Sequence, residues 1–251
     1  MPKRTKDNIK VGARFKNNHG DWFTVIEIKN LRKITVVFDD DPENCRIKTK
    51  QHIQEGRVLN KNKPAMWGVG FIGYGEHSSR NQKVAYSAWS NMITRCYWED
   101  YKDYSNYGGR GVYVTKQWHN FQNFCSWFLC NSTEGFEMDK DLKGKTSKVY
   151  SPDTVVFLPP RVNVMFTGRR SERNEYGIGV RPRKDGRFSS NITYDSKNIY
   201  LGYFGTADEA YNAYKTAKES AVKIVANEYK DVITEEAYNL LMEWEAERFP
   251  D

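Results

Sequence analysis

Paired cysteines are missing from this sequence. Cys45, Cys96, Cys125 and Cys130 form no CxxC unit and have no neighbouring histidine, which argues against a zinc site and supplies no disulfide framework. Long apolar runs are missing too, so no segment is expected to span a bilayer. The opening MPKRTKDNIK is basic with no apolar stretch behind it, so no signal peptide is expected. The glycine-rich stretch 68–75, GVGFIGYG, lacks the Gly-Lys-Ser/Thr ending and the strand–helix frame of a phosphate loop, and reads as a linker or tight turn. These absences point to a protein of a reducing compartment, expected in the cytoplasm.

Aromatics and positive charge are abundant. The 251 residues suffice for two or three small domains, and 14% aromatic content predicts real packing. The net charge of +7 is unevenly spread. Residues 227–251 carry eight acids against two bases, leaving +13 on residues 1–226. A basic body with an acidic C-terminal helix suits nucleic-acid binding, with a detachable or partner-facing tail.

Three regions follow one another. WFTVIEI (22–28) and KITVVF (33–38) alternate in part and predict a small antiparallel sheet or barrel, bounded by NNHG and DDDPEN and closing near IQEGRVLN. The middle is helix-rich: Ala85, Trp89, Met92 and Cys96 share a helical face with Ile93 beside them. Trp118, Phe121, Phe124, Cys125 and Phe128 repeat the pattern. Arg95, Arg110 and Lys116 are candidates for phosphate contacts there. The third region, 177–217, has three strand-like runs and one amphipathic helix. Ile192, Leu201 and Phe204 with Ala210, Ala213, Tyr214 and Ala217 predict a sheet–helix core. Arg181, Arg183, Lys184 and Arg187 would then leave the opposite face. A two-stranded ribbon fits a major groove, where arginine donates two bonds to guanine. Lys184 and Lys197 suit phosphates, which position without specifying sequence.

From Trp89 to Asn163, AWSNMITRCY, YGGRGVYV, Trp118, Phe124 with Trp127–Phe128, and MDKDLKGKTSKVYSPDTVVFLPPRVNVMF (138–166) resemble phage-encoded HNH endonucleases. The resemblance implies a ββα unit holding one divalent ion, Mg²⁺ or similar, over the scissile phosphate. Asp139 matches the acidic ligand position and Asn163 the ligand position on the helix. Lys140, with Asp141 beside it, stands where the family's general-base histidine would be, and Thr154 stands near the usual asparagine. A lysine is ordinarily protonated at neutral pH and cannot accept the proton of an attacking water. None of His19, His52, His77 and His119 falls within the ββα stretch. The motif therefore reads as degenerate.

GVRPR (179–183), DGRFSSNI (185–192), LGYF (201–204) and TADEAYNAYKTA (206–217) resemble the DNA-binding domain of the plant Apetala/ethylene-response-factor type, with Phe188 for the usual tryptophan and Asn191 for the usual acid. That resemblance implies a three-stranded antiparallel sheet packed on one helix, with base-edge contacts from GVRPR.

The expectation is an α+β, multi-domain protein. It comprises a β module at 1–66, an HNH-like core with flanking helices at 84–168, a DNA-reading domain at 174–220 and an acidic helical tail at 221–251. Its expected role is that of a phage-encoded, sequence-preferring binder of double-stranded DNA, regulatory or counter-defensive, needing no cofactor. The rivals are an active metal-dependent homing endonuclease, and an interaction protein whose β module and tail bind a host protein. The tail itself has two readings. It folds over the basic sheet and competes with DNA, or Tyr238, Leu241 and Trp244 pack it as a helix on the domain.

Overall fold

The computed structural model describes residues 9–144, 147–166 and 174–249. The chain divides into two compact units, 1–110 with 116–126, and 111–115 with 127–251. The architecture is mixed α+β with several small sheets.

In the first unit, β1 (Arg14–Lys16), β2 (Trp22–Asn30), β3 (Lys33–Phe38) and β4 (Asp41–Lys48) form an antiparallel sheet in that order. Alternation sends Phe23, Val25, Ile34, Val36 and Phe38 to one face, where they close a core with Ile53 and Val58. Ile53 comes from α1 (Lys50–Gln54), whose first turn is capped by the Thr49 hydroxyl. DDDPEN does not end the sheet, as expected, but opens its fourth strand. Pro42 is tolerated there because β4 lies at the sheet edge.

Further along this unit, α2 (Lys83–Tyr97) buries the stripe Ala85, Trp89, Met92, Ile93 and Cys96. The Trp89 indole donates to the Trp118 carbonyl at 2.7 Å. The stretch 66–71 turns tightly through a Met66–Gly70 bridge and pairs Phe71 with Asn120. It is therefore packed structure rather than a linker. The boundary between the two units falls inside the expected 84–168 segment, and α3 (Phe121–Asn131) crosses it.

The second unit holds three small sheets. β5 (Tyr113–Val114) runs parallel to β7 (Val149–Tyr150); between them in sequence lie β6 (Glu137–Asp139) and α4 (Asp141–Gly144). β6 pairs antiparallel with β8 (Val156–Leu158), and α5 (Pro160–Asn163) follows directly. The third sheet contains β9 (Val180–Pro182), β10 (Phe188–Tyr194) and β11 (Lys197–Phe204), in spatial order β11-β10-β9.

The long helix α6 (Ala207–Glu228) organises this unit. Thr206 and Glu209 form a reciprocal capping box at its start, and Asp208 and Glu209 complement the helix dipole. Its first half supplies Ala210, Tyr211 and Tyr214 to a core with Val180 and Ile192. Its second half packs Val222, Val225 and Ala226 against Leu142, Val156, Leu158 and Val162.

The acidic C-terminal segment is not detached. Position 220 lies inside α6, and α7 (Glu235–Met242) buries Ala237 and Leu241 completely in the same core. The chain then returns along the helix: Trp244 and Ala246 join the sheet–helix core, and the Tyr211 hydroxyl donates to the Ala246 carbonyl at 2.8 Å. Apolar residues at helical spacing, hidden among the acids, hold this segment in place.

Candidate nucleic-acid interface

Strand alternation gives the β9–β11 sheet two faces. Val180, Ser190 and Ile192 point to α6 and are buried. On the other face, cross-strand register lines up Arg181 with Ser189 and Ser189 with Tyr203. A second row joins Asn191 to Tyr200. Tyr200 and Tyr203 are three residues apart, a spacing that ordinary alternation sends to opposite faces. The ladder skips Leu201 between the pairs Asn191–Tyr200 and Ser190–Gly202, and Gly202 takes φ 134°. This bulge returns both tyrosines to the outer face, 55% and 47% exposed, with ring centroids 5.2 Å apart.

The tight turn between β9 and β10 carries the other cations. Arg183 donates its backbone N–H to Arg187 at 2.9 Å, and Gly186 takes φ 78°. The Arg183 guanidinium lies 4.3 Å from the centre of the Tyr203 ring and that of Arg187 lies 5.1 Å from it. Asp185 accepts from Arg187 through its side-chain Nε at 3.1 Å and a terminal nitrogen at 2.8 Å. These bonds hold the Asp185 carboxyl below the usual carboxylate range. Partial burial, then Tyr203, push the Tyr200 hydroxyl upward. One aromatic ring and one carboxylate thus organise two arginines that would otherwise sample many rotamers. Arg181 and Lys184 are exposed on the same hairpin.

Lys197 opens β11 opposite Tyr194, at the other end of the sheet. Five residue steps along β10 separate Ser189 from Tyr194, or about 17 Å of strand. The intervening turn holds Asp195 and Ser196 at φ 48° and 61°. It is anchored by Arg161 of α5, which grips Asp195 through two bonds of 2.7 and 2.8 Å and also pairs with Glu228. Arg110, also expected to touch DNA, lies in an exposed turn of the first unit.

The residues expected to make up the nuclease site are built differently. Asp139 ends β6 with its side chain buried, and its Oδ1 accepts the backbone N–H groups of Asp141 at 3.0 Å and Leu142 at 2.7 Å. It caps α4. Burial pushes its carboxyl above the usual range. The Asn163 amide donates to Glu137 Oε2 at 2.7 Å, so its partner is Glu137. Lys140 pairs with exposed Asp141, and its ammonium lies 5.9 Å from the Tyr150 ring centre. Thr154 serves its own turn, donating to the Val149 carbonyl at 2.7 Å and accepting from Ser151 at 3.0 Å. All four histidines belong to the first unit. Among the described residues, no group of three or more His, Cys, Asp or Glu side chains is gathered as an ion would need. Asp139 thus commits one carboxylate oxygen to two backbone donors, and Asn163 commits its amide N–H to Glu137.

Tyr200, Tyr203 and Asp185 were absent from the sequence-derived candidates. A glycine inside the otherwise strand-like YLGYF was the available signal, since it marks a bulge that changes which residues share a face. Comparison with protein-family models, curated proteins and solved structures finds no match to this chain.

Proposed function

We propose that the chain is a sequence-preferring binder of double-stranded DNA whose HNH-like segment does not cut. The observation that carries this reading is the outer face of the β9–β11 sheet. It aligns Arg181 and Tyr203 across Ser189, with Arg183 and Arg187 laid over the Tyr203 ring. An antiparallel ribbon with exposed guanidinium groups has the dimensions to enter a major groove. Lys184 and Lys197, near opposite ends of the sheet, suit flanking phosphates.

Support for a non-cleaving core comes from the β6–β8–α5 geometry, which has the strand–strand–helix order of a ββα unit. Its expected metal ligands carry structural bonds, Asp139 as a helix cap and Asn163 as a partner of Glu137. Lys140 supplies charge there without a base.

Selection from randomised duplexes, paired with a plasmid-nicking assay in Mg²⁺ or Mn²⁺, tests both halves. Full-length protein should return a motif and leave plasmid intact. Arg181→Ala should relax one base position at a cost of about 1–3 kcal/mol, whereas Lys184→Ala should weaken all sequences about equally. Affinity should fall with salt at a log–log slope of roughly −4 to −5, for four to six neutralised phosphates. A slope near zero refutes DNA binding. Metal-dependent nicking that disappears in Asp139→Ala refutes the inactive core and restores the homing-endonuclease reading.

A further inference from the structure

We propose that the first unit carries a separate site for the phosphodiester backbone of a nucleic acid, built from Arg46, Lys48 and Lys61 around Tyr74. This site does not rest on the reading of the β9–β11 sheet, which belongs to the other unit.

The site assembles from three stretches of chain. Arg46 and Lys48 are two apart on β4 and pair with Val36 and Ile34, so both leave the same face of the sheet. Both are half-buried, which leaves their charged ends at the rim of the β-sheet core. Lys61 enters from the loop that follows α1. Its carbonyl accepts the Gly73 N–H at 2.8 Å, which brings Tyr74 alongside. Gly73 is obligatory in that approach. Its φ is 72°, and a Cβ there would stand 2.3 Å from the Asn120 side chain. The Arg46 guanidinium lies 5.3 Å, and the Lys61 ammonium 5.7 Å, from the Tyr74 ring centre.

Charge is what marks the cluster. Among the described residues, none of these three cations forms an ion pair with a carboxylate. Asp41, beside Tyr74, is occupied by Asn44 at 2.7 Å and Asn62 at 3.3 Å. Burial, then the charges of Arg46 and Lys61, push the Lys48 ammonium below its ordinary value. Burial and Arg46 do the same to Lys61. The Tyr74 hydroxyl is buried, with Arg46 and Asp41 beside it.

Three cations held together with the single carboxylate of Asp41 beside them leave a net positive charge, and a bound anion relieves it. An inward-pointing lysine on an edge strand also discourages strand-to-strand aggregation. That purpose needs Lys48 alone and leaves the arrival of Lys61 from another loop unexplained. A guanidinium and an ammonium against one aromatic ring, with a second ammonium beside them, match successive phosphates of a sugar–phosphate backbone.

Site-resolved acylation of the full-length protein tests the assignment, using an amine-reactive acetyl ester, mass spectrometry and matched ionic strength. A 20-base-pair duplex should slow acetylation of Lys48 and Lys61 severalfold relative to chloride. Protection should persist, at higher duplex concentration, when Arg181, Arg183 and Arg187 are all replaced by alanine. Unchanged rates overturn the site, as does protection that vanishes with the sheet arginines. Protection by inorganic phosphate but not by duplex overturns the backbone assignment in favour of a small phosphorylated ligand. In an independent measurement, the combined Arg46→Gln, Lys48→Gln and Lys61→Gln variant should lose about 2.7 from the salt slope. It should fold at least as stably as the parent, because the repulsion is gone. An unaltered slope in a folded variant refutes the proposal.

Discussion

Replacing Tyr203 by alanine removes the surface on which Arg183 and Arg187 lie, while leaving every charge in place. The two guanidinium groups sit 4.3 and 5.1 Å from the ring centre, and the ring is 47% exposed, so each contact belongs to the solvent-exposed class. Such a contact is worth about 0.5–1 kcal/mol. Freeing a rotamer-rich side chain that binding must order again costs a similar amount. Two arginines therefore place the loss at about 1–2 kcal/mol, or roughly 5- to 30-fold in Kd. Fluorescence anisotropy with a labelled duplex, repeated across a salt series, measures it. Affinity should fall by that factor while the salt slope stays unchanged, because no phosphate contact has been deleted. Tyr203→Phe keeps the ring and should bind like the parent. An alanine variant within twofold of the parent, or one whose slope falls by a full unit, would show that the ring does not organise the arginines.

Gly179 has φ 77°, and a Cβ there would meet the Tyr214 ring at 2.0 Å, so Gly179→Ala should cost about 2–5 kcal/mol in urea unfolding. Gly186, at φ 78° with open space around it, should lose only about 1–2 kcal/mol on the same change. Asp139 has a folded pKa raised by burial, so its contribution favours folding at low pH and is lost as pH rises from the ordinary carboxylate value through the folded one. Asp139→Asn keeps the capping oxygen without the charge and should be at least as stable as the parent at pH 7, whereas Asp139→Ala should lose about 0.5–2 kcal/mol. A marked loss in the asparagine variant, followed by urea titration at pH 4 and 7, would contradict the capping role. Leu241→Ala removes a fully buried side chain from the α6–α7 core and should cost about 2–5 kcal/mol in the same assay, unlike a change in a detached tail.

Much of the architecture follows from local pattern. Alternation in WFTVIEI and KITVVF makes two paired strands, the Trp89 stripe makes α2, and the Thr206–Glu209 spacing starts α6, because each signal lies within a few residues of the structure it makes. The exposed cations of the 181–187 hairpin were legible for the same reason. Tertiary structure decided what depends on partners distant in sequence. By resemblance Asp139 and Asn163 hold metal-ligand positions; only the tertiary structure brings Asp139 Oδ1 onto the N–H groups of α4 and the Asn163 amide onto Glu137. The sequence left two readings of 221–251, a segment folded over the basic sheet or a helix packed through Tyr238, Leu241 and Trp244; the core that Ala237 and Leu241 share with α6 and β8 decides for packing. Strand register puts Arg46 and Lys48 on one face, and the Lys61–Gly73 hydrogen bond brings Tyr74 beside Arg46 and Lys61, a grouping that no local pattern signals. Residue type and spacing specify which elements form and which chemistry is available. Only packing specifies which polar groups are consumed in holding the fold and which are left to meet another molecule, since a hydrogen bond or a charge is satisfied by whatever the folded chain brings within reach.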